Sequence, residues 1–166
     1  MTDMVRQRIE AWSKANSKGN LKRYPKKVLY YRDGVGQSQY QKFREEELKG
    51  IRDAFENLPK EYRDPKITAV VVEKRHHTRF FPVNAKDKVP FKSDNVPNGN
   101  FYHGLCVDSH VTSPYYFDFY LQSHHGLKGT ARPAHYFVVE NGMDFEASVL
   151  QQLVSLRSPS LFCDLS

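Results

Sequence analysis

Cysteine is scarce in this chain: among 166 residues only Cys106 and Cys163 occur, and they form no C-x-x-C pair. A disulfide framework needs several cysteines and a zinc module needs paired ones, so neither is expected and both thiols read as reduced. Long apolar runs are missing as well, none approaching the roughly 20 residues of a membrane-spanning helix. The opening MTDMVRQRIEAW is amphipathic and has no signal-peptide core, which reads as an intracellular chain without a membrane partner. There is no G-x-S-x-G elbow to activate a serine and no internal repeat, so a hydrolase of that kind and a solenoid are set aside.

What is present suits one folded domain. Hydrophobic residues make up 39% and aromatics 13%, with 10 Tyr and 11 Phe, a composition that can bury a core and should contain real β-structure. Lys and Arg number 25 against 19 Asp and Glu, a net charge of +6 that favours an anionic partner such as nucleic acid. The excess is local: Lys74, Arg75, Arg79, Lys86, Lys88 and Lys92 face the single acid Asp87 in that interval, whereas Glu45, Glu46 and Glu47 lie well outside it.

Hydrophobic periodicity orders the elements. Val5, Ile9 and Trp12 recur at helical spacing and predict a helix over Asp3 to Ala15. Lys27 to Tyr31 reads as a buried strand ending at Arg32-Asp33-Gly34. Ser38 and Gln41 fit an S-x-x-Q capping box, opening a helix from Gln39 to Leu58 along Tyr40, Phe43, Glu47, Ile51, Phe55 and Leu58. Ile67 to Val72 is apolar on both strand faces, the pattern of a covered parallel strand, so strand, helix and strand form a βαβ unit. Pro82 to Asn100 reads as a polar, exposed loop. Leu105 to Val111, Phe117 to Gln122 and His135 to Glu140 are further strand candidates, and Phe145 to Leu156 is a helix candidate.

Three stretches carry possible chemistry. Asp33 ends a predicted central strand, where open α/β sheets place ligands and a carboxylate can meet a hydrated metal. The alternative is an Asp-Gly turn, in which Asp bonds the local backbone and Gly supplies a positive φ. Lys74-Arg75-His76-His77-Thr78-Arg79 suits a phosphate backbone better than a metal, because adjacent His side chains in an extended segment point to opposite faces. A solvated charge run would look the same. Ser123-His124-His125, followed by Gly126, Gly129, Thr130 and Arg132, offers hydroxyl, imidazole and guanidinium groups to phosphate oxygens, or forms a structural loop closed by Arg132-Pro133.

Taken together, YYRDGVGQSQY, VVVEKRHHTRFFP, VDSHVTSPYYFDFYLQSHHGLKGTARPAHYFVV and MVRQRIEAW resemble the PIWI domain of eukaryotic, fungal-like Argonaute proteins, over about Met4 to Gln152. The resemblance implies an α/β fold with an RNase H-like mixed sheet and flanking helices: residues 1–152 as a partial PIWI domain truncated at both ends, and residues 153–166 as a divergent tail. It also implies a place in RNA-mediated gene silencing, in the cytoplasm and also the nucleus, with small guide RNA and target RNA as partners and tryptophan-bearing peptides as a further class. In active members an Asp-Glu-Asp-His tetrad holding Mg²⁺ or Mn²⁺ cleaves RNA. Asp33 matches the second Asp and is the expected metal ligand; Lys74, Arg75, Arg79, His124, Thr130 and Arg132 match stretches lining the guide channel. The first Asp, the Glu and the His have no counterparts in these 166 residues, so the chain is expected to bind nucleic acid without cleaving it, holding metal weakly or not at all. The alternative is a piece of an active RNA endonuclease whose longer form carries the missing residues.

Overall fold

The computed structural model describes residues 1–19, 21–84, 88–90, 97–123 and 129–163. Five of its strands, Lys27–Asp33 (β1), Lys66–Glu73 (β2), Ala134–Asn141 (β7), Asp118–Gln122 (β6) and Leu105–Val107 (β5), form one sheet in the order named, and two more pair separately. The chain divides into two compact units, Met1–Val71 with Val139–Asp144, and Val72–Val138 with Phe145–Ser166.

The first unit opens with α1 (Thr2–Asn16), whose buried residues are Ile9 and Ser13. Trp12, placed on the inner face by its spacing, stays exposed, and the small Ser13 occupies the buried position four residues after Ile9. Helix α1 packs on α3 (Lys49–Phe55), where Gly50 lies against Met1 and Thr2. Strand β1 (Lys27–Asp33) runs two residues beyond the sequence expectation, and where a buried central strand was expected it stands at the edge of the sheet with its residues half-buried or exposed, because only one of its sides pairs with another strand. The helical stretch after it begins earlier than expected, as a 3-10 turn at Gln37–Gln39 with Gly36 as N-cap, then α2 (Tyr40–Lys42). Ser38 caps nothing, because the first turn closes from Gln39 N to Gly36 O (2.9 Å) and the Gln41 amide reaches forward to Glu45 Oε1 (2.9 Å).

Phe43–Leu48 then widens into a π-helical segment before α3 resumes. The sequence shows why: Phe43, Glu47, Ile51 and Phe55 are spaced by fours, and each such step drifts about 40° around an ordinary helix of 3.6 residues per turn. A wider turn cancels that drift, keeping Phe43, Ile51 and Phe55 buried while Glu47 stays in line with them.

Strand β2 (Lys66–Glu73) has six consecutive buried residues, as a strand covered on both faces requires. Its first half meets the turn after β7 (Ala134–Asn141): Gly142 N donates to Ile67 O (2.7 Å), and Thr68 Oγ1 donates to Asn141 Oδ1 (3.2 Å). A Cβ on Gly142 would stand 2.5 Å from the Ile67 carbonyl oxygen, a backbone atom that cannot swing away. Gly142→Ala is therefore expected to cost about 1–3 kcal/mol, measured by urea unfolding against the parent chain.

In the second unit β5 (Leu105–Val107), β6 (Asp118–Gln122) and β7 are antiparallel neighbours. The register sets Phe119 opposite Tyr136 and Tyr120 opposite His135, and both pairs stack, at ring separations of 5.2 Å and 4.2 Å. Leu150 and Val154 of α4 (Ala147–Cys163) are buried. The stretch expected to be a plain loop contains β3 (Lys88–Pro90) and the start of β4 (Pro97–Phe101), paired antiparallel. Backbone pairing there overrides a composition of Pro, Gly and Asn that argues against strand.

Candidate nucleic-acid interface

Asp33 closes β1 with its side chain exposed, and Gly34 follows at φ 77°, so the turn half of the sequence reading holds at that glycine. Gly36 has an ordinary extended conformation, φ −77°. Next to Asp33, Arg32 Nη1 donates to the Asp33 carbonyl (2.6 Å) and its Nε donates to both oxygens of Glu47 (2.9 and 3.0 Å), while Tyr30 Oη donates to Glu47 Oε2 (2.8 Å). Burial, and then the Glu47 carboxylate, push the Tyr30 phenol well above its ordinary range, so it remains a donor. Glu47 is thus committed to Arg32 and Tyr30.

That arrangement does not build a two-ion centre. Two-metal cleavage needs several carboxylates to bracket cations about 3.5–4 Å apart. Among the described residues no group of three or more His, Cys, Asp or Glu side chains is placed to hold a metal ion. Asp33 alone can take a hydrated Mg²⁺ or Mn²⁺ only where other oxygens, such as substrate phosphates, complete the shell.

The second unit brings the other predicted residues together. After β2 ends at Glu73 the chain is irregular, and His76 Nε2 donates to the Pro133 carbonyl (2.8 Å), which joins Lys74–Arg79 to Thr130–Pro133. Arg75, Thr130 and Arg132 are exposed, and Lys74 is half-buried. Arg79 Nη1 donates to the carbonyls of Thr78 (2.7 Å) and His76 (3.2 Å), so Arg79 shapes the segment as well as charging it. His124 lies outside the described residues.

Under the basic segment is a buried polar layer. His135 Nε2 stands 2.6 Å from Asp118 Oδ2, and its Nδ1 is 3.7 Å from Glu73 Oε2. Asp118 Oδ1 also accepts Ser113 N–H (2.8 Å). The His135 ring stacks on Tyr120, whose hydroxyl accepts Thr78 Oγ1 (3.4 Å), and His76 stands edge-on to the Tyr120 ring.

Burial lowers the His76 pKa below its usual value, against the opposing pull of the Pro133 carbonyl. With Nε2–H facing a carbonyl, Nδ1 is the unprotonated nitrogen, and it is buried without a hydrogen-bond partner, as suits a neutral ring. Between its folded and unfolded pKa values the unfolded chain binds more protons, so stability rises with pH. The contribution is complete above about pH 6.5 and is lost as pH falls toward the folded value. Urea unfolding between about pH 7.5 and pH 5 should show a smaller acid loss in His76→Gln than in the parent.

The Piwi domain family model matches residues 1–158, nearly the whole chain. The chain belongs to the Piwi domain family. This Piwi chain is similar to the C-terminal lobe of a budding yeast Argonaute, with 29% identity, TM-score 0.76, and coverage of 91% of this chain and 30% of that one. It is similar to Kluyveromyces polysporus Argonaute with a guide RNA, at 28% identity and TM-score 0.76, covering 92% of this chain and 18% of that one. Drosophila Piwi matches at 26% identity and TM-score 0.65, covering 91% of this chain and 18% of that one. The five-stranded mixed sheet with its helices is the RNase H-like fold expected from the motifs. The Piwi chain spans less than a third of each of these proteins.

Sequence reasoning missed the residues that support the interface. The pattern around His135 predicts only a strand and does not name Asp118, although a single His amid apolar strand residues is a signal to look for a buried partner. Asn100, the last residue of the expected loop, is 2% exposed and bonds across to Gly129 and Ala131.

Proposed function

We propose that this Piwi domain chain binds RNA, a small guide strand and its target, as the Piwi part of an Argonaute-type protein of RNA-mediated silencing, and that it does not cleave RNA by itself. One observation carries the reading: His76 ties the segment bearing Lys74, Arg75 and Arg79 to the segment bearing Thr130 and Arg132, so cations and a hydroxyl far apart in sequence occupy one unit. Such a set suits the phosphate backbone, which positions a nucleic acid without reading its bases. The Kluyveromyces relative solved with a guide RNA supports the same class of partner. Asp33 lacks the further carboxylates that two-ion cleavage requires among the described residues. In a longer chain that carried them, Asp33 would be the residue through which metal-dependent cleavage could run.

The test is fluorescence anisotropy of a labelled single-stranded RNA with the 166-residue chain. Binding at low salt that weakens steeply as salt rises is expected. No binding, or binding indifferent to salt, would overturn the reading.

A further inference from the structure

We infer that Asn100 is a positioning residue for RNA binding, a clamp that holds the Gly129–Thr130–Ala131 turn so that Thr130 and Arg132 face the phosphate backbone. The inference rests on the RNA-binding reading above. Asn100 lies in β4, is 2% exposed, and uses both ends of its amide on the same turn: Nδ2 donates to Gly129 O (2.8 Å) and Oδ1 accepts Ala131 N–H (2.6 Å). The two bonds fix the amide's orientation, since only the nitrogen can face a carbonyl and only the oxygen an N–H. They straddle Thr130, which is exposed between two clamped neighbours. Gly129 sits at φ 72°, a conformation that a glycine adopts without strain, and the turn is not part of a strand ladder that would hold it otherwise.

The clamp itself is anchored. Gln122 of β6, also 2% exposed, donates from Nε2 to the carbonyl of Phe101, next to Asn100 (3.0 Å), and its own carbonyl accepts Gly104 N–H (2.7 Å). On the far side, Pro133 is held by His76. The segment is therefore held at Pro133 by His76, and Asn100 is the side chain that holds Gly129 and Ala131 on either side of Thr130. A buried amide satisfied this fully costs little to keep, whereas its loss leaves a carbonyl and an N–H without their partner. No phosphate contact by Asn100 itself is needed; it acts through Thr130 and Arg132.

The experiment is a double-mutant cycle on RNA affinity and its salt slope, using the full chain and a labelled single-stranded RNA. Asn100→Ala is expected to weaken binding about five-fold at 0.1 M salt and to reduce the slope by about 0.7, as Arg132→Ala does. Adding Arg132→Ala to Asn100→Ala should then cost little more, while Arg75→Ala should keep its full effect in either background. A global loss of structure would scale every cation's contribution alike, so this selectivity separates positioning from support. Should Asn100→Ala fail to fold, Asn100→Asp keeps the acceptor for Ala131 N–H, opposes Gly129 O, and is read in the same cycle. Losses from Asn100 and Arg132 that simply multiply would overturn the inference while leaving RNA binding intact. Absence of RNA binding by the parent chain would remove the functional reading and the clamp's role together.

Discussion

Asp118→Ala is expected to destabilise the chain by about 3–5 kcal/mol, the cost of breaking a buried pair by removing one partner. Asp118 is 4% exposed and His135 7%, so neither side chain can turn to water when the other is lost. The substitution removes the oxygen 2.6 Å from His135 Nε2 and also the acceptor of Ser113 N–H. Glu73, 3.7 Å from the other ring nitrogen, is too far to replace a short hydrogen bond. Because His135 supports Tyr120, and Tyr120 accepts Thr78, the basic segment should loosen along with the strand pair. Chemical unfolding monitored by circular dichroism checks the energy. A loss below about 1 kcal/mol, the range of an ordinary single hydrogen bond, would mean that the pair is not the support described.

RNA affinity is expected to fall about 50-fold when monovalent salt rises from about 50 to about 200 mM. Lys74, Arg75, Arg79 and Arg132 are the cations assigned to the interface, and each phosphate neutralised on a single strand contributes roughly −0.7 to the slope of log affinity on log salt. Four contacts give a slope near −2.8, and a four-fold change in salt is about 0.6 logarithmic units. Replacing all four by Gln should abolish most of the salt response. A slope that stays near −2.8 in that variant would place the contacts elsewhere, with Lys86, Lys88 and Lys92 the next residues to neutralise.

The elements legible in the sequence were those whose signal is local. Helix α1 and strand β2 bury a stripe or a run that periodicity marks, β1 forms where its apolar run lies although it is only half-buried, and the observed ranges differ from expectation by one or two residues at the ends. The start of the helix after β1 was misplaced because Ser38 and Gln41 match a capping pattern that this backbone satisfies by another route. The β3/β4 pair was missed because a strand whose composition favours turns owes its form to its partner.

Sequence by itself determined the family of this chain, the basic character of the Lys74–Arg79 segment, and the place of Asp33 at the end of a strand, since these reside in residue order, charge and short-range apolar pattern. Only the tertiary structure decided which distant residues share a task. His76 with Pro133, Asn100 with Gly129 and Ala131, and Asp118 with His135 are separated by 57, 29, 31 and 17 positions. Each bond has at least one partner withdrawn from water that must find its mate wherever folding brings it, and no pattern along the chain encodes that meeting.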